Sequence, residues 1–108
     1  MSRLLIISHN IDRASDIAAA LHPVSRRIST CCSIREAAML LRTQPFDAII
    51  YVSEETYSWR VAVEQLNRAI ASKPEMPQRF CVLSGPYNGV ADRLYGKRIG
   101  WRVIHVPE

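Results

Sequence analysis

Short continuous apolar runs alternate along this chain with stretches in which apolar residues recur every three or four positions. The run Leu4-Leu5-Ile6-Ile7 predicts a strand covered on both faces. Asn10 or Asp12 is placed to cap a helix whose apolar face is Ala14, Ile17, Ala18 and Leu21, and Pro23 ends it. Arg27 to Cys31 alternates in polarity and predicts a shorter edge strand. Ser33 and Glu36 form a capping box before a second helix with Ile34, Ala37, Ala38 and Leu41 on its buried face. The Gln44-Pro45 step breaks that helix, and Phe46 to Val52 predicts a third, central strand. Ser58 is placed to cap a third helix with Trp59, Val63, Leu66 and Ile70 on one face. Lys73 to Gln78, with two prolines, reads as a loop, and Phe80 to Ser84 as a fourth buried strand. Gly85-Pro86-Tyr87-Asn88-Gly89 predicts a turn, Val90, Ala91 and Leu94 a short fourth helix, and Trp101 to Val106 a fifth strand.

Strands and helices thus alternate from end to end. Right-handed crossovers turn that order into a parallel sheet with helices on both faces. Such sheets bind ligands outside the carboxyl ends of their strands. The candidate positions are therefore Ser8, His9 and Asn10, then Val52 to Glu55, Ser84 and Gly85, and Val106 and Pro107.

Composition narrows the class without naming the job. The 108 residues fit one domain, spanning 1–108, with 48% apolar and 22% charged residues, which excludes a disordered chain. No apolar run is long enough to suggest a membrane span, and Met1 to Ile7 turns polar too soon for a secretory signal. Three cysteines, two of them the adjacent Cys31 and Cys32, give no disulfide framework, so a reducing, cytoplasmic setting is the expectation. The net charge of +4 is uneven. Residues 1–78 carry nine basic and eight acidic residues, whereas residues 79–108 carry five basic and two acidic. Twelve of the 14 cations are arginine, a residue suited to planar contacts with carboxylate or phosphate.

Three segments carry a resemblance. Phe46-Asp47-Ala48-Ile49-Ile50 opens the third strand, Leu83-Ser84-Gly85 closes the fourth, and Ile104-His105-Val106-Pro107 closes the fifth. In this order and spacing the whole chain resembles the receiver domains of bacterial two-component response regulators. The resemblance implies a flavodoxin-like α/β three-layer sandwich, with a five-stranded parallel sheet in the order 2-1-3-4-5. Receiver chemistry needs an acidic pair that holds Mg²⁺, a phospho-accepting aspartate, a hydroxyl and a lysine. Carried over one position at a time, the acidic pair falls on Ser8 and His9, the acceptor on Val52, the hydroxyl on Ser84 and the lysine on Val106. The switch aromatic falls on Val103. Only Ser84 retains the required chemistry. The other aspartates, Asp12, Asp16, Asp47 and Asp92, lie away from the acceptor position, and Glu54 and Glu55 are poor substitutes. The implication is a degenerate receiver that is not phosphorylated on aspartate, uses no cofactor or metal, and is not an enzyme.

The resemblance further implies a fifth helix on the same sheet face as the first, for which the sequence has no residues after Glu108. Apolar side chains of strands three to five are then expected to lie open, a larger patch than monomers usually expose. A second copy, another protein, or a further domain of a longer chain is expected to cover it, with a homodimer or partner contact through the strand 4–strand 5 region preferred. The expected contact surface comprises Arg93, Lys97, Arg98, Trp101, Arg102, Val103 and His105, around helix four and strand five. A basic surface of this kind suits an acidic protein partner. The alternative is a small DNA-associated regulator using the basic C-terminal third. A third reading is a small enzyme or ligand site built from His9, Glu54, Glu55 and Ser84, although no spacing motif supports it. Lesser features read as ordinary structure: Cys31-Cys32 as buried or loop thiols, Tyr57 and Trp59 as core aromatics, and the Gly85–Gly89 segment as a turn rather than a phosphate cradle.

Overall fold

The computed structural model describes residues 3–25, 27–53, 59–84 and 89–106. Nine elements follow one another in these residues: β1 (Arg3–Ser8), α1 (Ile11–Leu21), β2 (Arg27–Cys31), α2 (Ile34–Thr43), β3 (Ala48–Ser53), α3 (Trp59–Ile70), β4 (Gln78–Ser84), α4 (Gly89–Ile99) and β5 (Arg102–Val106). The strands form one parallel sheet in the order β2-β1-β3-β4-β5. The fold is the expected α/β three-layer arrangement with four helices. Among the described residues no helix is long and apolar enough to cross a membrane.

The helix ends are set by local chemistry. The Asn10 side chain accepts from the N–H groups of Asp12 and Arg13 at 3.0 and 3.2 Å, so Asn10, not Asp12, caps α1. The Ser33 hydroxyl accepts from the Glu36 N–H at 3.1 Å and starts α2. Ser58, expected to cap α3, lies outside the described residues. Helix α4 has 11 residues and is longer than the pattern suggested. Its last turns pack on β5 because Gly96 lets the helix approach closely: a Cβ there would lie 2.5 Å from Val103 Cγ2. The Trp101 N–H donates to the Gly96 carbonyl at 2.8 Å, which closes the helix and delays β5 to Arg102. The central strand, β3, starts at Ala48 rather than Phe46.

Strand alternation divides the sheet into two unequal faces. One face presents Leu5 and Ile7, Ile49 and Tyr51, Cys81 and Leu83, and Val103. These side chains are buried together with Ala37, Leu41, Trp59, Val63, Leu66, Ile70 and Trp101, under α2, α3 and α4. The other face presents Leu4, Ile6, Ala48, Ile50, Val52, Phe80, Val82, Ile104 and Val106. Helix α1 packs on β1 and β2 there. Burial consequently falls across this face, from Ile6 at 0% exposure to Ile104 at 42%.

Candidate functional site

Three regions concentrate chemistry or exposure. The first is the carboxyl edge of the sheet. Ser8 is buried, and its hydroxyl accepts from the Asn10 N–H at 3.2 Å, so it serves the turn into α1. His9 is exposed and lies edge-on to the buried Tyr51 ring, with centroids 6.4 Å apart. Val52, in register with Ser8, is buried on the α1 side of the sheet. Ser84 is buried and pairs in register with Val106, which is exposed on the same side. The five positions singled out by the receiver resemblance do share one edge, but they bring no carboxylate and no lysine. Glu54, Glu55, Tyr57, Gly85, Pro86, Tyr87, Asn88, Pro107 and Glu108 lie outside the described residues.

The second region is a buried charge cluster beneath α4. The Asp92 carboxylate lies 3.2 Å from Arg60 Nη2 and 3.6 Å from His105 Nε2. The Asp92 and His105 side chains are nine-tenths buried. Arg60 also lies over the Tyr95 ring at 4.5 Å and the Trp59 ring at 5.6 Å. The Tyr95 hydroxyl donates to Glu64, and that bond, with burial, raises its pKa above the ordinary value. Cys81 lies on the same sheet face. Burial, reinforced by the Asp92 charge, pushes its thiol up to about 12. Cys31 is held up at about 11 by burial and the Glu36 charge. Both thiols therefore stay protonated at neutral pH, and a protonated thiol is a poor nucleophile and a poor metal ligand. The cluster ties α3, α4 and β5 together. Sequence pattern did not single it out, since Asp92 reads as an ordinary first-turn acid of a surface helix. The available signal was strand alternation, which turns His105 toward the side of the sheet on which α4 packs.

The third region is the uncovered face itself. Between α1 and the open strands lies a groove of about 1010 Å³. Its floor includes Ile50, Val52, Phe80, Val82, Ile104 and Val106, and its α1 wall includes Asp12, Asp16 and Ile17. Arg102 stands at one end of the floor, its guanidinium 5.9 Å from the Phe80 ring centre.

This geometry redraws the expected contact surface. Trp101 and Val103 are buried, at 2% and 8% exposure, because β5 turns them toward α4 and the core. They cannot form an outer surface. His105 is committed to Asp92. Arg93, Lys97 and Arg98 are exposed on α4, whereas Arg102 stands on the other side of the sheet. The seven residues therefore divide between an exposed basic flank, the core and the open face.

No protein-family model matches the chain, and no curated protein matches it significantly. Among solved structures it is similar to a de novo designed Rossmann 2x3 fold protein, determined by solution NMR. The identity is 9% and the TM-score 0.66, and the match covers 100% of this chain and 80% of the designed one. At that identity the likeness concerns the fold: a Rossmann-like, flavodoxin-like sheet of five parallel strands in the order 2-1-3-4-5.

Proposed function

We propose that this chain is a non-catalytic, receiver-like regulatory module that acts by protein–protein contact and is not switched by aspartyl phosphorylation. The observation that carries the reading is the pairing of a chemically silent strand edge with an open apolar face. At the edge, Val52 stands at the acceptor position and Ser8 and His9 at the metal-binding positions. A branched alkyl group cannot accept a phosphoryl group, and a serine beside a histidine offers Mg²⁺ no carboxylate oxygen. On the α1 side, Phe80, Val82, Ile104 and Val106 remain partly or largely exposed, in a contiguous patch of the kind that marks contact sites.

The exposed cations Arg93, Lys97 and Arg98 supply a second, polar element, which can steer an acidic protein partner into register. Reversing the charge at Arg93 and Lys97 is expected to slow association with that partner. Incubation with acetyl phosphate and Mg²⁺ tests the central statement. No acid-stable, base-labile phosphoryl label is expected on the protein; stoichiometric labelling would overturn the reading.

A further inference from the structure

The groove on the α1 side has a definite size, shape and charge. From β3 to β5 its floor spans two strand spacings, roughly 10 Å, close to the diameter of one helix. The floor strands have five to seven residues, so the floor is roughly 17–23 Å long. A helix of roughly 11–15 residues covers that length, and α1 beside it has 11. The floor is apolar, so its occupant must present an apolar stripe. The charged side chains along the described walls are Asp12, Asp16 and Asp47 against Arg13, with Arg102 at the end of the floor. Asp12 and Asp16 are exposed and take part in no salt bridge among the described residues. A chain of net charge +4 thus borders this groove with net negative charge, even with Arg102 at the end of the floor counted.

We infer that this groove receives a basic amphipathic α-helix of a partner protein, its apolar stripe on Ile50, Val82, Ile104 and Val106 and its cationic flank toward Asp12 and Asp16. The inference rests on the contact-module reading above and names the segment that enters the groove, a surface apart from the Arg93, Lys97 and Arg98 flank. A second copy of this chain fits less well. Two-fold packing of the open faces would lay the α1 ridge of each copy over the floor of the other. Asp12 and Asp16 would then lose hydration against a mostly apolar floor, on which Arg102 at one end is the cation they could meet. Small polar ligands fit less well too, because the floor has no convergent polar groups to orient them. A basic helix satisfies both floor and wall, since its lysines or arginines reach the aspartates while its alkyl stems cover apolar surface.

Two fluorescently labelled peptides of about 14 residues test the proposal, sized to the floor. They share a leucine stripe at i, i+3, i+4 and i+7 and differ only in lysine or glutamate on the flanks. Fluorescence anisotropy at low salt is expected to show the lysine peptide binding at least about fivefold more tightly, as two exposed ion pairs warrant. That preference is expected to vanish in the Asp12→Asn/Asp16→Asn protein. Val82→Asn is expected to weaken the lysine peptide at least about tenfold, as loss of a buried apolar contact at a groove centre does. Ile104→Asn, at a more exposed position, gives the same reading should Val82→Asn unfold the protein. Absence of binding, equal affinities, a glutamate preference, or a preference that survives removal of both aspartates would overturn the proposal. So would a dimer in sedimentation equilibrium that Ile104→Asn dissociates, which would assign the face to a second copy. In each case the contact-module reading is judged separately, by the phosphoryl label.

Discussion

Arg79 illustrates how much one side chain organises here. Its guanidinium donates to the Asn67 side-chain oxygen at 3.0 Å, and the Trp101 indole N–H donates to that same oxygen at 2.8 Å. The Asn67 amide returns a bond to the Ile99 carbonyl at 3.1 Å. Gly100 turns the chain beside this network with φ +83°, and a Cβ there would lie 2.4 Å from Arg79 Nη2. Gly100→Ala therefore meets both backbone strain and a displaced guanidinium. It is expected to cost about 1–3 kcal/mol, read as a lower urea midpoint at unchanged m-value. The buried thiols make a second prediction at this scale. Cys81 titrates near 12 in the folded chain, against an ordinary value near 9. Above pH 9 the unfolded chain releases this proton while the folded chain keeps it. Stability is thus fully present below about pH 9 and declines as pH rises toward 12, by about 1.4 kcal/mol per pH unit for this thiol. Urea midpoints measured from pH 8 to 10.5 check the slope, and Cys81→Ala is expected to reduce it by this share, leaving the part due to Cys31.

At the scale of elements, α4 is the informative one. It is held to the sheet by the close approach at Gly96, by the Asp92 contacts to Arg60 and His105, and by Tyr95 packing edge-on to Trp59 at 5.6 Å. Gly96→Ala would push a methyl group against Val103 and the Trp101 carbonyl, at 2.5 and 2.8 Å. Overpacking of this kind costs about 1–3 kcal/mol and is read by equilibrium unfolding. Asp92→Asn removes the carboxylate that Arg60 and His105 share. It is expected to destabilise by about 1–3 kcal/mol, with Arg60, the more exposed partner, recovering water. Both elements of this account were half legible in the chain. The run Trp101 to Val106 announced a strand, and alternation separated Trp101, Val103 and His105 from Arg102, Ile104 and Val106. Which of those two sets meets a helix depends on the side to which the α4 crossover returns, and that is not written in the strand.

For the whole molecule, the imbalance between the two sheet faces predicts an imbalance in mutational cost. Val103 is 8% exposed beneath α4, and Val106 is 37% exposed over the groove. Val103→Ala is expected to cost about 2 kcal/mol, whereas Val106→Ala should cost well under 1 kcal/mol. Paired urea melts of the two variants check this. Equal losses would mean that the open face is covered in solution. The strand-edge residues matter to the fold through their volume. Ser8, Val52 and Ser84 are buried and still fill the ends of their strands, so the fold retains their volume whether or not they retain reactive groups.

The sequence by itself determined the order and kind of the elements, the cap at Ser33, a choice of Asn10 or Asp12 for the cap of α1, and the absence of a carboxylate at Ser8, His9 and Val52. Those features rest on local periodicity and on residue chemistry, which neighbouring positions express directly. Only the tertiary structure decided that Asp92 is buried against Arg60 and His105, that Trp101 and Val103 lie inside, and that Asp12 and Asp16 border an apolar groove. Each of those depends on residues far apart in the chain meeting across layers. Strand alternation names two faces, and the packing of the helices chooses which one is closed.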